Sequence, residues 1–273
     1  MIFEDITVRS SSLSGYADCP RRWAARHLRG MATTFGYKLR DLPSSIGAAI
    51  GSGTHSVIGN DLEHKMVHGT LPDFALSEEI GMHELETRIG DEGVMWDDVS
   101  PNLSDAQLQV RRLARTYRAQ VGETIKPVAV ERRLKARHST GIVISGQQDL
   151  VVSDPLTLRD VKTGKGRGAN HAQYGSYSRL LRAHGQPVTH IFEDFIRRVP
   201  LKNKQPDVLS VEYDLETCEQ QTEATIARID RDLKAFTESG DRDAFLANPS
   251  STLCSDRFCP AAGSNFCPFW RAK

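Results

Sequence analysis

The sequence predicts an α+β (mixed α/β) fold, a central mixed sheet flanked by helices, and three observations carry that prediction. The apolar patterns run in the order helices, a three-strand meander, a helix, two strands and a final helix. The periodicity changes from helical to alternating near residue 123, so the chain divides into a helical region over 1–122, a strand-rich core over 123–253 and a cysteine-bearing tail over 254–273. The chain has 273 residues, 39% hydrophobic and 26% charged, which suffices for a buried core and argues against disorder.

Taken in order, "SSLSGYADCPRRWAARHL" reads as one helix capped by Ser12 or Ser14, with basic residues at its far end. "PSSIGAAIGSGTHSVIGNDLEHKMVHG" reads as a glycine-rich helix that carries His55 among small residues, which permit close approach of another element. Residues 70–103 are acidic and scattered with glycine and proline, and no element is assigned there. "SDAQLQVRRLARTYRAQVG" is a helix capped by Ser104 or Asp105. "VAVERRLKAR", "GIVISGQQDLVV" and "LTLRDVKTG" are three strands, joined by "HSTG" and by Asp154-Pro155. "NHAQYGSYSRLLRAHG" is a helix from Asn170 to a stop at Gly185. "HIFEDFIRRV" and "VLSVEYDL" are two more strands, and residues 216–238 form a polar amphipathic helix.

Thirty-five basic and 35 acidic residues cancel, so nucleic-acid binding would need local basic patches rather than a global field. No apolar run approaches the roughly 20 residues that span a bilayer. The acidic start "MIFEDITVRS" has no leader-like apolar stretch, so a cytoplasmic protein without a disulfide framework is expected.

The informative stretch is "GQQDLVVSDPLTLRDVKTGKG". A two-residue loop at Asp154-Pro155 sets position 149 against 160, and a turn centred on Pro155-Leu156 sets it against 162. Side chains alternate with period two, so either even loop puts Asp149, Asp160 and Lys162 on one face, and an odd loop breaks this. Two carboxylates so placed repel unless a cation lies between them, and hard oxygen ligands suit Mg²⁺ or Mn²⁺. Lys162 would then orient an attacking water or stabilise charge on phosphate. Glu131 lies on the preceding strand, and Gln173 and Tyr177 share a face of the following helix.

This ordered set resembles the PD-(D/E)xK nucleases, in particular the RecB-like branch with the CRISPR-associated exonucleases and the nuclease domains of bacterial helicase-nucleases. The resemblance runs from "LSGYADCPRRW" through "GSGTHS", "VAVE", "GQQDLV", "LRDVKTG" and "HAQYGSYSRLL" to the tail. It implies a restriction-endonuclease-like core, with His55, Asp149, Asp160 and the Val161 carbonyl as metal ligands and Lys162 as the catalytic lysine. It implies further that Glu131 supports the metal site, and that Gln173 and Tyr177 position the scissile strand. Asp160 stands where many relatives have Glu.

Cys19 lies near the start, and Cys254, Cys259 and Cys267 lie in the tail with spacings C-x4-C and C-x7-C. Four thiolates suit zinc or a [4Fe–4S] cluster, and the tail lacks the tight C-x2-C pairs usual for zinc. The resemblance favours the cluster, since that branch has members with one N-terminal and three C-terminal cysteine ligands. Zinc is the alternative, and uncoordinated thiols are the remaining one. Cys218 reads as a plain helix residue.

Arg21, Arg22, Arg26 and Arg29 on the first helix, Arg111, Arg112, Arg115 and Arg118 on the third, and Lys165 with Arg167 after the last meander strand are candidate phosphate contacts. Trp23, Tyr177 and Trp270 are candidate stacking residues or core. The leading expectation is a metal-dependent exonuclease acting on DNA ends or single strands, in recombination, repair, phage DNA metabolism or CRISPR spacer processing. "TGKGRG" lacks the residue that would make it a nucleotide-binding loop, so a separate helicase, recombinase or CRISPR adaptation protein is the expected partner. The alternatives are a DNA-end-binding module without turnover and a zinc-stapled structural protein.

Overall fold

The computed structural model describes residues 6–153 and 155–269. A six-stranded mixed sheet lies between two helical layers. Strand β1 (Thr7–Arg9) leads through a single 3-10 turn into helices α1 (Leu13–Asp18), α2 (Pro20–His27) and α3 (Arg29–Thr34). The single helix expected here is broken at Cys19, because Pro20 cannot donate a helical N–H and drives the preceding residue out of helical space. Cys19 is extended, with φ −154° and ψ 98°, and its sulfur accepts from the Arg22 amide as the cap of α2.

A short strand β2 (Ser44–Ser45) precedes helix α4 (Ile46–His68), capped by Ser45. Helix α5 (Phe74–Glu92) and strand β3 (Val94–Met95) fill the region left without an element. Helix α6 (Leu103–Tyr117) takes its cap from Asn102, whose side chain accepts from the Asp105 amide, rather than from Ser104 or Asp105. A Cβ on Gly53 would stand 2.8 Å from the Gly81 carbonyl oxygen, so glycine there lets α4 and α5 touch through their backbones.

The meander appears as β4 (Pro127–Arg137), β5 (Val143–Val152) and β6 (Thr157–Gly164). Helix α7 (His171–Ala183) crosses over to β7 (His190–Arg197), which pairs parallel with β6, and β8 (Leu209–Tyr213) adds antiparallel to β7. Helix α8 (Leu215–Ser239) then packs beside α7.

The sheet has one irregularity that matters. Strand β5 pairs with β4 along its length, but its other edge is shared. Thr7–Arg9 of β1 run parallel to 143–145, and β6 pairs only with 150–152. Residues 146–149 therefore lie between two partners, neither of which extends the ladder across them. One core cluster joins α1–α3, α7, α8 and the tail on one face, and the other joins α4 and α6 on the opposite face.

Candidate active site

The ladder 152↔157, 151↔158, 150↔159 continues to place 149 opposite 160, the first of the two registers expected. Asp154, in the loop that sets this register, lies outside the described residues. Past 150 the pairing stops, and Asp149 Oδ2 instead accepts from the Val161 amide at 2.7 Å. The carboxylate thus takes the hydrogen bond that a continuing strand would have supplied.

Three elements converge at this point. His55 from α4, Glu131 from β4 and Asp149 from β5 each offer one ligand atom, and these atoms lie within 4.8 Å of one another. His55 Nδ1 is 3.9 Å from Glu131 Oε1 and 3.7 Å from Asp149 Oδ2. Gly59, four residues past His55 and so on its face, is the reason α4 can come so near: a Cβ there would meet Glu131 Cγ at 3.3 Å. Glu131 has φ 47° and is the one non-glycine residue in left-handed space among those described. Such a conformation costs about 1–3 kcal/mol and persists where surrounding contacts impose it. Gln147 supplies one such contact, donating from Nε2 to Glu131 Oε2 at 2.6 Å while its Oε1 accepts from Arg133 at 2.8 Å.

Asp160 is fully buried and lies outside this triad. Its Oδ2 is 2.6 Å from Lys162 Nζ, two residues on along the same strand face. Gln173 Nε2 and the Tyr174 hydroxyl reach Asp160 at 3.4 Å each, and Gln173 also donates to the Tyr177 hydroxyl at 2.9 Å. The resemblance sets Asp160 with His55 and Asp149 and gives Glu131 a supporting place; here Glu131 lies nearest His55 and Asp149, and Asp160 lies beside them with Lys162 on its carboxylate.

Three contributors were missed. Gln147 joins Glu131 to Arg133. Tyr174 donates to Glu193 at 2.5 Å while touching Asp160. Glu193, buried on β7, also accepts from Asn170 at 3.2 Å and from Arg167 at 2.6 Å. Gln147 is one of two adjacent glutamines on a strand, and that was its only sequence signal.

The electrostatics follow from this crowding. Burial, and then Asp160, push the Asp149 carboxyl above its ordinary range. Burial alone would depress the His55 ring, but Asp149 and then Glu131 outweigh it and hold its pKa at about 8. Burial also opposes the Lys162 charge, and Asp160 followed by Asp149 more than restores it, so Lys162 is a cation and not a base at neutral pH. Burial and Asp160 push the phenols of Tyr174 and Tyr177 upward, so both act as neutral groups.

Six of the expected phosphate contacts have partners within the chain, and of these Arg115 and Lys165 remain exposed. Arg21 is buried and paired with Asp243 at 2.5 Å, and Arg22 is buried and paired with Asp18 at 2.7 Å. Arg112 donates to the carbonyls of Val199 and Asn203, and Arg115 lies over the Phe74 ring beside Glu78. Lys165 pairs with Asp98 and Asp97, and Arg167 pairs with Glu193. With equal numbers of acids and bases, most guanidinium groups find an internal carboxylate or carbonyl. Trp23 and Tyr177 are buried core residues, and Trp270 lies outside the described residues.

At the far side of α2, Cys19, Cys254, Cys259 and Cys267 line one small cavity. Cys19 Sγ accepts from the amides of Arg22 at 3.5 Å and Asn248 at 3.4 Å. Burial raises the Cys259 thiol, with the three other cysteines close enough to add to the shift. Cys218 sits apart in α8, its thiol pushed up to about 12 by burial.

A mixed sheet that gathers acids, a histidine and a lysine at the splay of two strands belongs to a phosphodiester-cleaving class of enzyme. The chain belongs to the PD-(D/E)XK nuclease superfamily, whose family model matches residues 10–268. A crystal structure of a candidate exonuclease from Eubacterium rectale is similar over 86% of this chain and 82% of its own, at 11% identity and a TM-score of 0.57, which shows a shared fold. LHK-Exo in complex with dAMP is a more distant likeness, covering 71% of this chain and 96% of its own at 12% identity and a TM-score of 0.32. A phage-related exonuclease from Haemophilus somnus 129PT covers 72% of this chain and 97% of its own at 11% identity and a TM-score of 0.27. No curated protein matches the chain. Among the described residues no helix is long and apolar enough to cross a membrane.

Proposed function

We propose that this nuclease is a Mg²⁺- or Mn²⁺-dependent deoxyribonuclease, an exonuclease that hydrolyses phosphodiester bonds at DNA ends or in single strands. The observation that carries this reading is the meeting of His55, Glu131 and Asp149 beside the Lys162–Asp160 pair. Two carboxylates and one imidazole form a predominantly oxygen donor set that suits a small hard cation with room for water. Burial and then the neighbouring Asp160 carboxylate push the Asp149 carboxyl up, and a cation would relieve the repulsion between the two acids. Asp160 and the Val161 carbonyl are further ligands in this proposal.

A bound divalent ion would polarise a phosphoryl oxygen and ease deprotonation of water. The chain's own groups do the rest. Lys162 Nζ, kept cationic by Asp160, donates to the attacking water or to the oxygens that gain charge as the P–O bond breaks. Gln173 and Tyr177, joined to each other at 2.9 Å, position the scissile strand against the β6 carboxylate.

The test is digestion of end-labelled and circular single-stranded DNA with Mg²⁺ or Mn²⁺. Progressive shortening of linear DNA with circles spared is expected. Asp149→Ala, Asp160→Ala and Lys162→Ala, checked as folded by circular dichroism, should each lose ~10²-fold or more. A near-wild-type rate in any of them would remove that residue from the site.

The four cysteines are proposed to hold a [4Fe–4S] cluster, with zinc as the alternative. The donor set is soft, and two backbone amides aim at the Cys19 sulfur, as suits a thiolate. A cytoplasmic setting and a separate helicase, recombinase or CRISPR adaptation protein complete the proposal.

A further inference from the structure

Two open grooves meet at the candidate active site, and their charges are opposite. The first, of about 750 Å³, runs between β1, α2 and β4 and ends at Gln147 and Tyr177. Its charged lining is Arg9, Arg26, Arg133 and Lys135, with no aspartate or glutamate. The second, of about 390 Å³, runs between α4 and α5 from His55 and Glu131, and beyond them it carries Glu63 and Glu84 beside Arg88. Gln147 lines both.

We propose that the first groove carries the phosphate backbone of the uncleaved nucleic-acid strand. This deepens the nuclease reading and rests on it. Of these two grooves at the His55–Glu131–Asp149 triad, only the first is free of repelling carboxylates, which suits it to a polyanion. The cations there are also placed for the task. Arg9, Arg26, Arg133 and Lys135 are exposed, unlike Arg21 and Arg22 on the same helical segment. No ion pair of Arg9 or Lys135 occurs among the described residues.

The groove exists because β1 and β6 share one edge of β5, which opens the sheet at 146–149 and brings Arg9 alongside the Ser145–Gln147 backbone. Arg133 links it to the triad through Gln147 and Glu131. His27, on the same wall, feels the positive potential: partial burial and then Arg26 and Arg9 hold its pKa down, at about 4.

The experiment is fluorescence anisotropy of a labelled 20-nucleotide single strand in EDTA, titrated with salt, for wild type, Arg9→Ala/Lys135→Ala and the control Lys234→Ala, an exposed lysine of α8 paired with Asp230. Each phosphate contact adds roughly 0.7 to the slope of log affinity against log salt for single strands. The double variant should flatten that slope by about 1.4 and lose at least ~10-fold in affinity at moderate salt, while Lys234→Ala keeps the wild-type slope. An unchanged slope in the double variant overturns the groove, as does an equal loss in Lys234→Ala. Digestion of the same strand by wild type with Mn²⁺ separates the two readings. Groove-dependent binding without digestion would sink the exonuclease proposal alone, and digestion with an unchanged slope would sink the groove alone.

Discussion

Glu131 turns its backbone to φ 47° at the point where Gln147 Nε2 holds its carboxylate at 2.6 Å, so one residue is both strained and aimed. Left-handed space for a non-glycine residue costs about 1–3 kcal/mol, and glycine adopts it without penalty. Glu131→Gly should therefore keep or raise the thermal midpoint while cutting Mn²⁺-dependent digestion ~10- to 100-fold. Loss of stability and activity together would mean that Glu131 serves the fold alone.

The Lys162–Asp160 pair leads to a double-mutant prediction. Asp160 has a side chain only 1% exposed, so Lys162→Met strands a buried carboxylate. Breaking such a pair costs ~3–5 kcal/mol, whereas removing both charges costs far less. Denaturant unfolding should show Asp160→Asn/Lys162→Met to be more stable than Lys162→Met, with both inactive. Equal stability of the two variants would show that the pair is not coupled.

Those two residues also show where the sequence was legible. The alternation of β6 and an even loop were enough to bring Asp149, Asp160 and Lys162 together, since both are local properties of one hairpin. The left-handed turn that brings Glu131 against His55 was not legible, because no local pattern marks a positive φ at a non-glycine residue. Strand β1 was missed because its three residues gain meaning only by pairing with 143–145, more than 130 positions away. Helix α5 was missed because Leu76 and Ile80 are exposed at 61% and 44%, which blurs its apolar stripe. The basic face of α2 was visible, but Asp243, which neutralises Arg21, lies over 200 residues on.

A pH prediction attaches to the clamp that ties the segment after β3 to the end of β7. Arg198 grips both Asp97 oxygens, with side chains 4% and 15% exposed. Burial would raise the Asp97 carboxyl, but Arg198, the Ser100 amide and Lys165 together hold it well below the usual carboxylate range. A depressed folded pKa contributes stability that is present above the unfolded value of ~3.9 and is lost as pH falls. Asp97→Asn should therefore lower unfolding free energy by ~3 kcal/mol or more at pH 7, with the gap narrowing below pH ~4. A gap of constant size from pH 7 to pH 3 would refute the ionic origin.

The last prediction concerns the four cysteines. Cys19 sits at the helix break made by Pro20, and its partners lie in the tail, so a shared inorganic core would close a loop of more than 200 residues. Closing so long a loop restricts the unfolded chain, and ligation energy is folding energy. Protein purified without oxygen should be brown, with broad absorption near ~400 nm from an iron–sulfur core. Cys19→Ser should lose most of that colour and melt at a lower temperature. Cys218→Ser is the control, since its thiol is buried in α8 away from the cavity, and it should keep the colour. The His55–Glu131–Asp149 triad uses none of these sulfurs, so Cys19→Ser that remains folded at low temperature should retain cleavage. One zinc and no iron per chain would replace the cluster with zinc and leave the nuclease site untouched.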